Sequence, residues 1–271
     1  MKTFIIAEAG VNHNGKMSIA KKLIKMAASA GADCIKFQTF TAAATHIKNA
    51  QKANYQKKNT GKKETLYKMV KKLELSKKEH LELKKICKFN KIEFLSSAFD
   101  IESIKLINSI GVKRFKIPSG EINNLPYLRF IGKFNKKIIL STGMALLKEI
   151  REAIKIIVKA GTAKKKITIL QCNTEYPTPY RDANLYAMKT IKDKLKVNVG
   201  YSDHTKGIEV PIAATALGAR VIEKHFTINK NLSGPDHSSS ANFEEFRLMV
   251  KSIRNIEQAT GHGRKVPSLS E

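Results

Sequence analysis

The 271-residue sequence carries 50 lysine and arginine residues against 23 aspartate and glutamate, a formal charge of +27, yet only eight of the basic residues are arginine. Lysine pairs recur along most of the chain instead of gathering with aromatic residues in one patch. That argues against a nucleic-acid partner and for solvated helix faces that also raise the local concentration of a phosphorylated substrate. No apolar run approaches a membrane span, residues 4–9 are too short for a signal peptide, and the three cysteines (Cys34, Cys87, Cys172) lack metal-ligand spacing; a reducing, cytoplasmic setting and small buried residues are expected.

In chain order, a β-rich run over 4–9 leads into the turn-rich Gly10-Val11-Asn12-His13-Asn14-Gly15. A helix follows with Ile19, Leu23, Met26, Ala27 and Ala30 on one face, stopped by Gly31. The second strand is predicted over 34–39; the lysine- and threonine-rich stretch over 42–63 has weak periodicity and reads as a long loop. Ser76 starts a helix with Glu79 as its capping-box partner. Strands over 92–97, 114–117, 137–142 and 166–172 then alternate with helices over 101–110, from about 126, around the inward-facing Ile150, Ile154, Ile157 and Val158, and over 185–195. Strands over 197–201 and 220–223 flank an amphipathic helix, and a last helix is predicted over 243–259.

Eight βα units in this length predict a (β/α)₈ TIM barrel over 1–262. A doubly wound sheet is the alternative, but residues 10–15 do not match its G-x-G-x-x-G fingerprint. The barrel also explains why polar residues collect at strand C-terminal ends: Glu8, Lys36 and Gln38, Ser96 and Ser97, Lys116, Ser119 and Glu121, Ser141 and Thr142, residues 173–175, residues 202–204, and His225. Two lysines, Lys36 and Lys116, aimed at one mouth repel unless an anion lies between them. With the hydroxyls of Ser97, Ser119, Ser141, Thr174 and Ser202 nearby, that half of the mouth reads as a phosphate pocket. His204 and His225, with Glu121, Asp203 and Asp236 available, suit an open-coordinate divalent cation such as Mn²⁺, Fe²⁺, Co²⁺ or Zn²⁺. An open metal beside a phosphate pocket implies a phosphorylated substrate meeting a carbonyl or hydroxyl compound, with Glu8 as candidate acid or base.

Eight stretches, in order and spanning the chain, resemble the bacterial sialic acid synthase family: AEAGVNHNG (7–15), KFQTF (36–40), KIPSGE (116–121), LSTGM (140–144), CNTEYPTP (172–179), GYSDHT (200–205), EKHFT (223–227) and GPDH (234–237). The resemblance implies condensation of phosphoenolpyruvate with an N-acetylmannosamine-type sugar and water, giving a nine-carbon 2-keto acid and phosphate. A 2,4-diacetamido-2,4,6-trideoxymannose substrate with a legionaminic-type product is the close competitor, and a non-catalytic ligand-binding barrel is a third reading. By resemblance, Lys36, Ser97, Lys116, Ser119, Ser141, Asn173, Thr174 and Ser202 hold phosphoenolpyruvate. His204 and His225 hold the metal, Mn²⁺ ahead of Mg²⁺ or Co²⁺, with Glu121 beside its waters; Glu8, Tyr176 and Asp236 contact the sugar or act as acid and base. The chain departs from the family at Ser96-Ser97-Ala98-Phe99-Asp100, where Ser-Thr-Pro-Phe-Asp is usual. Family members also carry a C-terminal antifreeze-like domain exchanged between subunits. Residues 263–271 read as the start of its linker, so that domain is expected to be absent and a homodimer weakened.

Overall fold

A computed structural model of the chain describes residues 2–45, 47–52, 57, 64–268, 270 and 271. Eight parallel strands close into a barrel in sequence order: β1 (Phe4–Gly10), β2 (Cys34–Thr39), β3 (Glu93–Ala98), β4 (Arg114–Ile117), β5 (Lys137–Ser141), β6 (Ile167–Cys172), β7 (Asn198–Asp203) and β8 (Val221–His225). The described helices are α1 (Met17–Ser29), α2 (Ala42–Thr45), α3 (Leu66–Lys71), α4 (Lys77–Phe89), α5 (Ile101–Ser109), α6 (Leu125–Gly132), α7 (Leu147–Lys159), α8 (Tyr186–Leu195), α9 (Glu209–Ala216) and α10 (Phe243–Ala259). The predicted TIM barrel is the observed fold, with every predicted strand present to within a few residues. None of the described helices is long and apolar enough to cross a membrane.

Local chemistry accounts for the boundaries. Ser76 and Glu79 form the expected reciprocal capping box on α4, and Asp100 caps α5 by accepting from the Ser103 amide at 2.7 Å. Three expectations change. Val158 on α7 is 38% exposed, whereas Ile150, Ile154 and Ile157 are buried; a contiguous i, i+4, i+7 stripe fills the interface, and the next position rotates out of it. The stretch read as a loop over 42–63 opens with the short helix α2, while residues 46, 53–56 and 58–63 lie outside the described residues. Helix α3, missed in the sequence because its apolar positions span only six residues, follows that stretch and is capped by Thr65.

The barrel interior is layered, and this positions everything that follows. Ile6, Cys34, Leu95, Ile139, Leu170 and Val221 form an apolar cluster inside the strands, distinct from the large core between strands and helices. Side chains on a strand alternate in direction, so the residues two positions further on point into the same interior one layer nearer the C-terminal mouth. Those residues are Glu8, Lys36, Ser97, Ser141, Cys172 and Glu223. On β7 the lower layer has room only for Gly200: a Cβ there meets the Val221 carbonyl oxygen at 2.3 Å and Leu170 Cδ2 at 2.7 Å. Gly200→Ala is expected to cost about 1–3 kcal/mol through overpacking, read as a lowered urea midpoint; an unchanged midpoint would show slack in the interior.

Candidate active site

The polar layer lines a cavity of about 360 Å³ at the strand C-terminal ends, and its lining includes Glu8, Lys36, Ser97, Lys116, Ser119 and Ser141. Lys36 Nζ lies 2.8 Å from Glu8 Oε2 and donates to Ser97 Oγ at 3.0 Å. Lys116 Nζ donates to Ser141 Oγ at 2.8 Å. The anion that two neighbouring lysines require is partly supplied by the protein: the Glu223 carboxylate lies 3.7 Å from Lys36 Nζ, 3.4 Å from Lys116 Nζ, and accepts from Ser202 Oγ at 3.0 Å. In the sequence Glu223 stands only inside the EKHFT stretch (223–227) and has no assigned role. Its signal was its parity, because it shares the inward face of β8 with His225.

Burial raises the Glu8 carboxyl to about 7, outweighing the nearby Lys36 charge. Burial also opposes ionisation of Glu223, but Lys116, Lys36 and His225 hold its carboxyl below the ordinary carboxylate range. For Lys36, burial is overcome by Glu223 and Glu8, so its ammonium is favoured; for Lys116, burial prevails and lowers its pKa. When Glu8 is protonated, two ammonium groups face one carboxylate in a buried layer. That surplus positive charge, ringed by serine hydroxyls, is a site for an anionic ligand.

The imidazoles stand beside this layer. His204 and His225 have ring centroids 5.5 Å apart, and burial lowers both pKa values, His204 to about 4, so both rings are neutral near pH 7. Nδ1 of His204 donates to the Asn173 carbonyl oxygen, which leaves Nε2 as the lone-pair nitrogen, 3.0 Å from the Tyr176 hydroxyl. Tyr176 stacks on His204 at 4.1 Å between centroids and meets His225 edge-on at 5.4 Å. His225 Nδ1 is buried without a hydrogen-bond partner among the described residues, 4.0 Å from Asp236 Oδ2. Burial raises the Asp236 carboxyl to about 6. A buried, unpartnered imidazole nitrogen next to a second lone-pair imidazole fits a divalent cation of borderline softness. Among the described residues no group of three or more His, Cys, Asp or Glu could hold a metal, so the two imidazoles form an open donor pair.

Not every residue singled out in the sequence reaches the cavity. Ser119, Thr174, Tyr176, Ser202, His204, His225 and Asp236 line it. Asp203 does not: on the opposite face of β7 from Ser202, it pairs with buried Lys224 at 2.5 Å and accepts from Thr205, so it is removed from the metal candidates. Glu121 is also absent from the lining and accepts from Asn124 Nδ2 at 2.7 Å in the turn after β4. Asn173 contributes its main-chain carbonyl to His204, while its side chain accepts from the Glu175 amide at 2.7 Å. Gln38 Nε2 lies 3.4 Å from Glu8 Oε1 and lines the cavity. Cys172 is buried and unpaired as expected, and it also borders the cavity, 3.4 Å from Ser119 Oγ.

The Asn12-His13-Asn14 turn after β1 holds the loop that carries Asp236. Asn12 Nδ2 donates to the Phe226 carbonyl and to Ser240 Oγ, both at 2.9 Å, and Ser240 Oγ in turn donates to the Asp236 carbonyl at 2.7 Å. Asn14 Nδ2 donates to the Ser233 carbonyl at 2.8 Å. His237 bridges Thr227 Oγ1 at 2.6 Å and Asn14 Oδ1 at 3.2 Å. Gly234 between them leaves no room for a Cβ, which would lie 2.6 Å from the His237 ring.

A closed parallel barrel with a cationic, hydroxyl-ringed layer and two neutral imidazoles at its strand C-terminal ends defines a barrel enzyme whose chemistry is carried on the βα loops. The NeuB family profile matches residues 23–265, and the chain belongs to that family, whose members are nonulosonic acid synthases, transferases that form a carbon–carbon bond. Over 270 residues the chain is 55% identical to N,N'-diacetyllegionaminic acid synthase of Campylobacter jejuni, covering 100% of this chain and 81% of that protein. It is 48% identical to the protein of the same name from Legionella pneumophila, over 100% of this chain and 77% of the relative. The crystal structure of N-acetylneuraminic acid (sialic acid) synthetase from Leptospira borgpetersenii in complex with citrate is similar with a TM-score of 0.87 and 36% identity, covering 100% of this chain and 89% of that one.

Proposed function

We propose that the chain condenses phosphoenolpyruvate with an open-chain 2,4-diacetamido-2,4,6-trideoxymannose and water, giving a legionaminic-type 2-keto acid and phosphate. Carbon 3 of the enol bonds to the aldehyde carbon, water adds at carbon 2, and the tetrahedral adduct loses phosphate by C–O cleavage. The observation that carries the reading is the pair of buried lysines, Lys36 and Lys116, bonded to Ser97 and Ser141 around Glu223 and Ser202, in the same cavity as His204 and His225. The sugar is ranked ahead of N-acetylmannosamine, which the sequence motifs alone put first. The reason is that two relatives at 55% and 48% identity bear the legionaminic name, against 36% for the sialic acid synthetase structure.

In this reading Lys36 and Lys116 bind the phosphate and carboxylate of the enol, and the serine hydroxyls orient them. Ser119 and Thr174 lie on the same lining. Glu8, near half-protonated at neutral pH, holds the proton that the aldehyde oxygen takes up as the carbon–carbon bond forms. Tyr176 and Asp236 face the sugar from the β6 and β8 loops. His204 and His225 would hold a divalent cation, Mn²⁺ in the first instance, which supplies Lewis-acid polarisation of a carbonyl oxygen when bound.

Phosphate release from phosphoenolpyruvate with Mn²⁺, measured with each of the two sugars, tests the proposal. Release that depends on the diacetamido sugar, with kcat/KM above that for N-acetylmannosamine, is expected. Release indifferent to either sugar would overturn the condensation reading, and a preference for N-acetylmannosamine would overturn the choice of sugar.

A further inference from the structure

One side of the cavity is unlike the rest. Val11, Phe40, Met69, Val70, Leu73 and Phe99 line it, and they belong to an apolar cluster separate from both barrel clusters. Val11, Phe40, Met69, Val70 and Leu73 are all buried. They come from the loops after β1, β2 and β3 and from α3 with the turn that follows it, so the chain between β2 and α4 supplies four of the six, Phe40, Met69, Val70 and Leu73.

The ridge is fixed in place. Glu74 Oε1 accepts from the Ala42 amide at 2.7 Å, tying the end of the insertion to its beginning. Gly15, at φ 70°, packs its backbone against the Lys72 carbonyl oxygen so closely that a Cβ would lie 2.3 Å from it. Only glycine permits that approach, which locks the insertion onto the β1 loop. Thr45, the polar lining residue beside the ridge, donates its hydroxyl to the Thr41 carbonyl at 2.9 Å. Apart from the weakly accepting thioether of Met69, the ridge's side chains offer a ligand hydroxyl neither a donor nor an acceptor.

An open-chain hexose whose aldehyde reacts at the lysine and imidazole layer must place its remaining carbons elsewhere in the cavity, and the ridge is an apolar wall open to them. We propose that Met69, Val70 and Leu73, backed by Val11, Phe40 and Phe99, form the subsite for the far end of the sugar, and that they select a hexose ending in a C6 methyl over one ending in a hydroxymethyl. The inference rests on the condensation proposed above and adds the residues that set its specificity. A hydroxymethyl pressed on this wall gives up its water hydrogen bonds with little replacement from the described ridge residues, whereas a methyl leaves water at no such cost. An apolar pocket rejects an added hydroxyl by no more than about 100-fold, so the expected preference is about 10- to 100-fold in kcat/KM.

The decisive pair of substrates differs by one oxygen: 2,4-diacetamido-2,4,6-trideoxymannose and its 6-hydroxy counterpart. The parent chain is expected to prefer the first. Val70→Thr, nearly isosteric, and Met69→Gln, similar in length, each place a hydrogen-bonding group on the wall and are expected to shrink the ratio of the two kcat/KM values about tenfold, with the KM for phosphoenolpyruvate as in the parent. General loosening of the fold lowers turnover of both sugars alike and leaves the ratio where it was. A parent ratio near one, or a ratio unmoved in both variants, overturns the subsite. Failure of the condensation reading looks different, because the parent then turns over neither sugar, and the subsite falls with it.

Discussion

Replacing either His204 or His225 with alanine is expected to abolish sugar-dependent phosphate release and to weaken Mn²⁺ binding by more than about 100-fold, since loss of outer-shell partners alone costs 10- to 100-fold. The expectation follows from the donor set. His225 Nδ1 is a buried nitrogen with no partner among the described residues, and burial keeps both rings unprotonated near neutral pH. With one ring gone, the remaining imidazole and the nearby Asp236 are too few to retain the ion against water. The barrel should stay folded, because both rings lie at the mouth, outside the apolar clusters that hold strands and helices together. Isothermal titration with Mn²⁺, alongside thermal unfolding of each variant, separates the two effects. Parent-like Mn²⁺ affinity in both single variants would remove these residues from the metal site.

Loss of a lysine from the polar layer is expected to weaken phosphoenolpyruvate binding by about 2–5 kcal/mol, the range for truncating one partner of a buried charge pair. The two lysines should differ in their side effects. Lys116→Ala removes the ammonium whose charge burial disfavours, 3.4 Å from Glu223. Lys36 still faces Glu223 and Glu8, and the layer loses the surplus positive charge that an anionic ligand needs. Lys36→Ala also strips Glu8 of the ammonium 2.8 Å from its carboxyl. Burial, the largest influence on Glu8, then acts with less opposition and drives its pKa further up from about 7. Lys36→Ala should therefore shift the pH dependence of kcat upward as well as weaken the substrate, while Lys116→Ala mainly weakens the substrate. Titration with phosphoenolpyruvate checks the first part and a pH–rate profile the second. If both alanine variants bind phosphoenolpyruvate as the parent does, the anion pocket lies elsewhere.

The reach of the sequence is clearest in the strands. Eight β-rich runs alternating with helical segments, and the polar residues at their C-terminal ends, were enough to predict the barrel, the mouth that carries the chemistry, and the lysines and histidines at it. Each of those follows from short-range pattern: a strand's side chains alternate whatever the strand pairs with. The same parity, applied strictly, separates Ser202 and Glu223, which face the interior, from Asp203 and Lys224, which pair with each other on the opposite face. Asp203 was grouped with the metal candidates because nearness along the chain was given more weight than face.

The partners themselves were decided by tertiary structure. Glu223 sits between two lysines contributed by β2 and β4, which meet it only because closure of the barrel brings β8 across from them. The loop bearing Asp236 is held by Asn12 and Asn14, more than 200 positions away along the chain. The apolar ridge exists because Gly15 lets the backbone at Lys72 approach, a contact that neither segment's own pattern contains. A sequence pattern fixes which face a side chain takes, because that depends on its neighbours along the chain. The charge that neutralises it and the wall that faces it are set by strand register and loop packing, and those are properties of the closed fold.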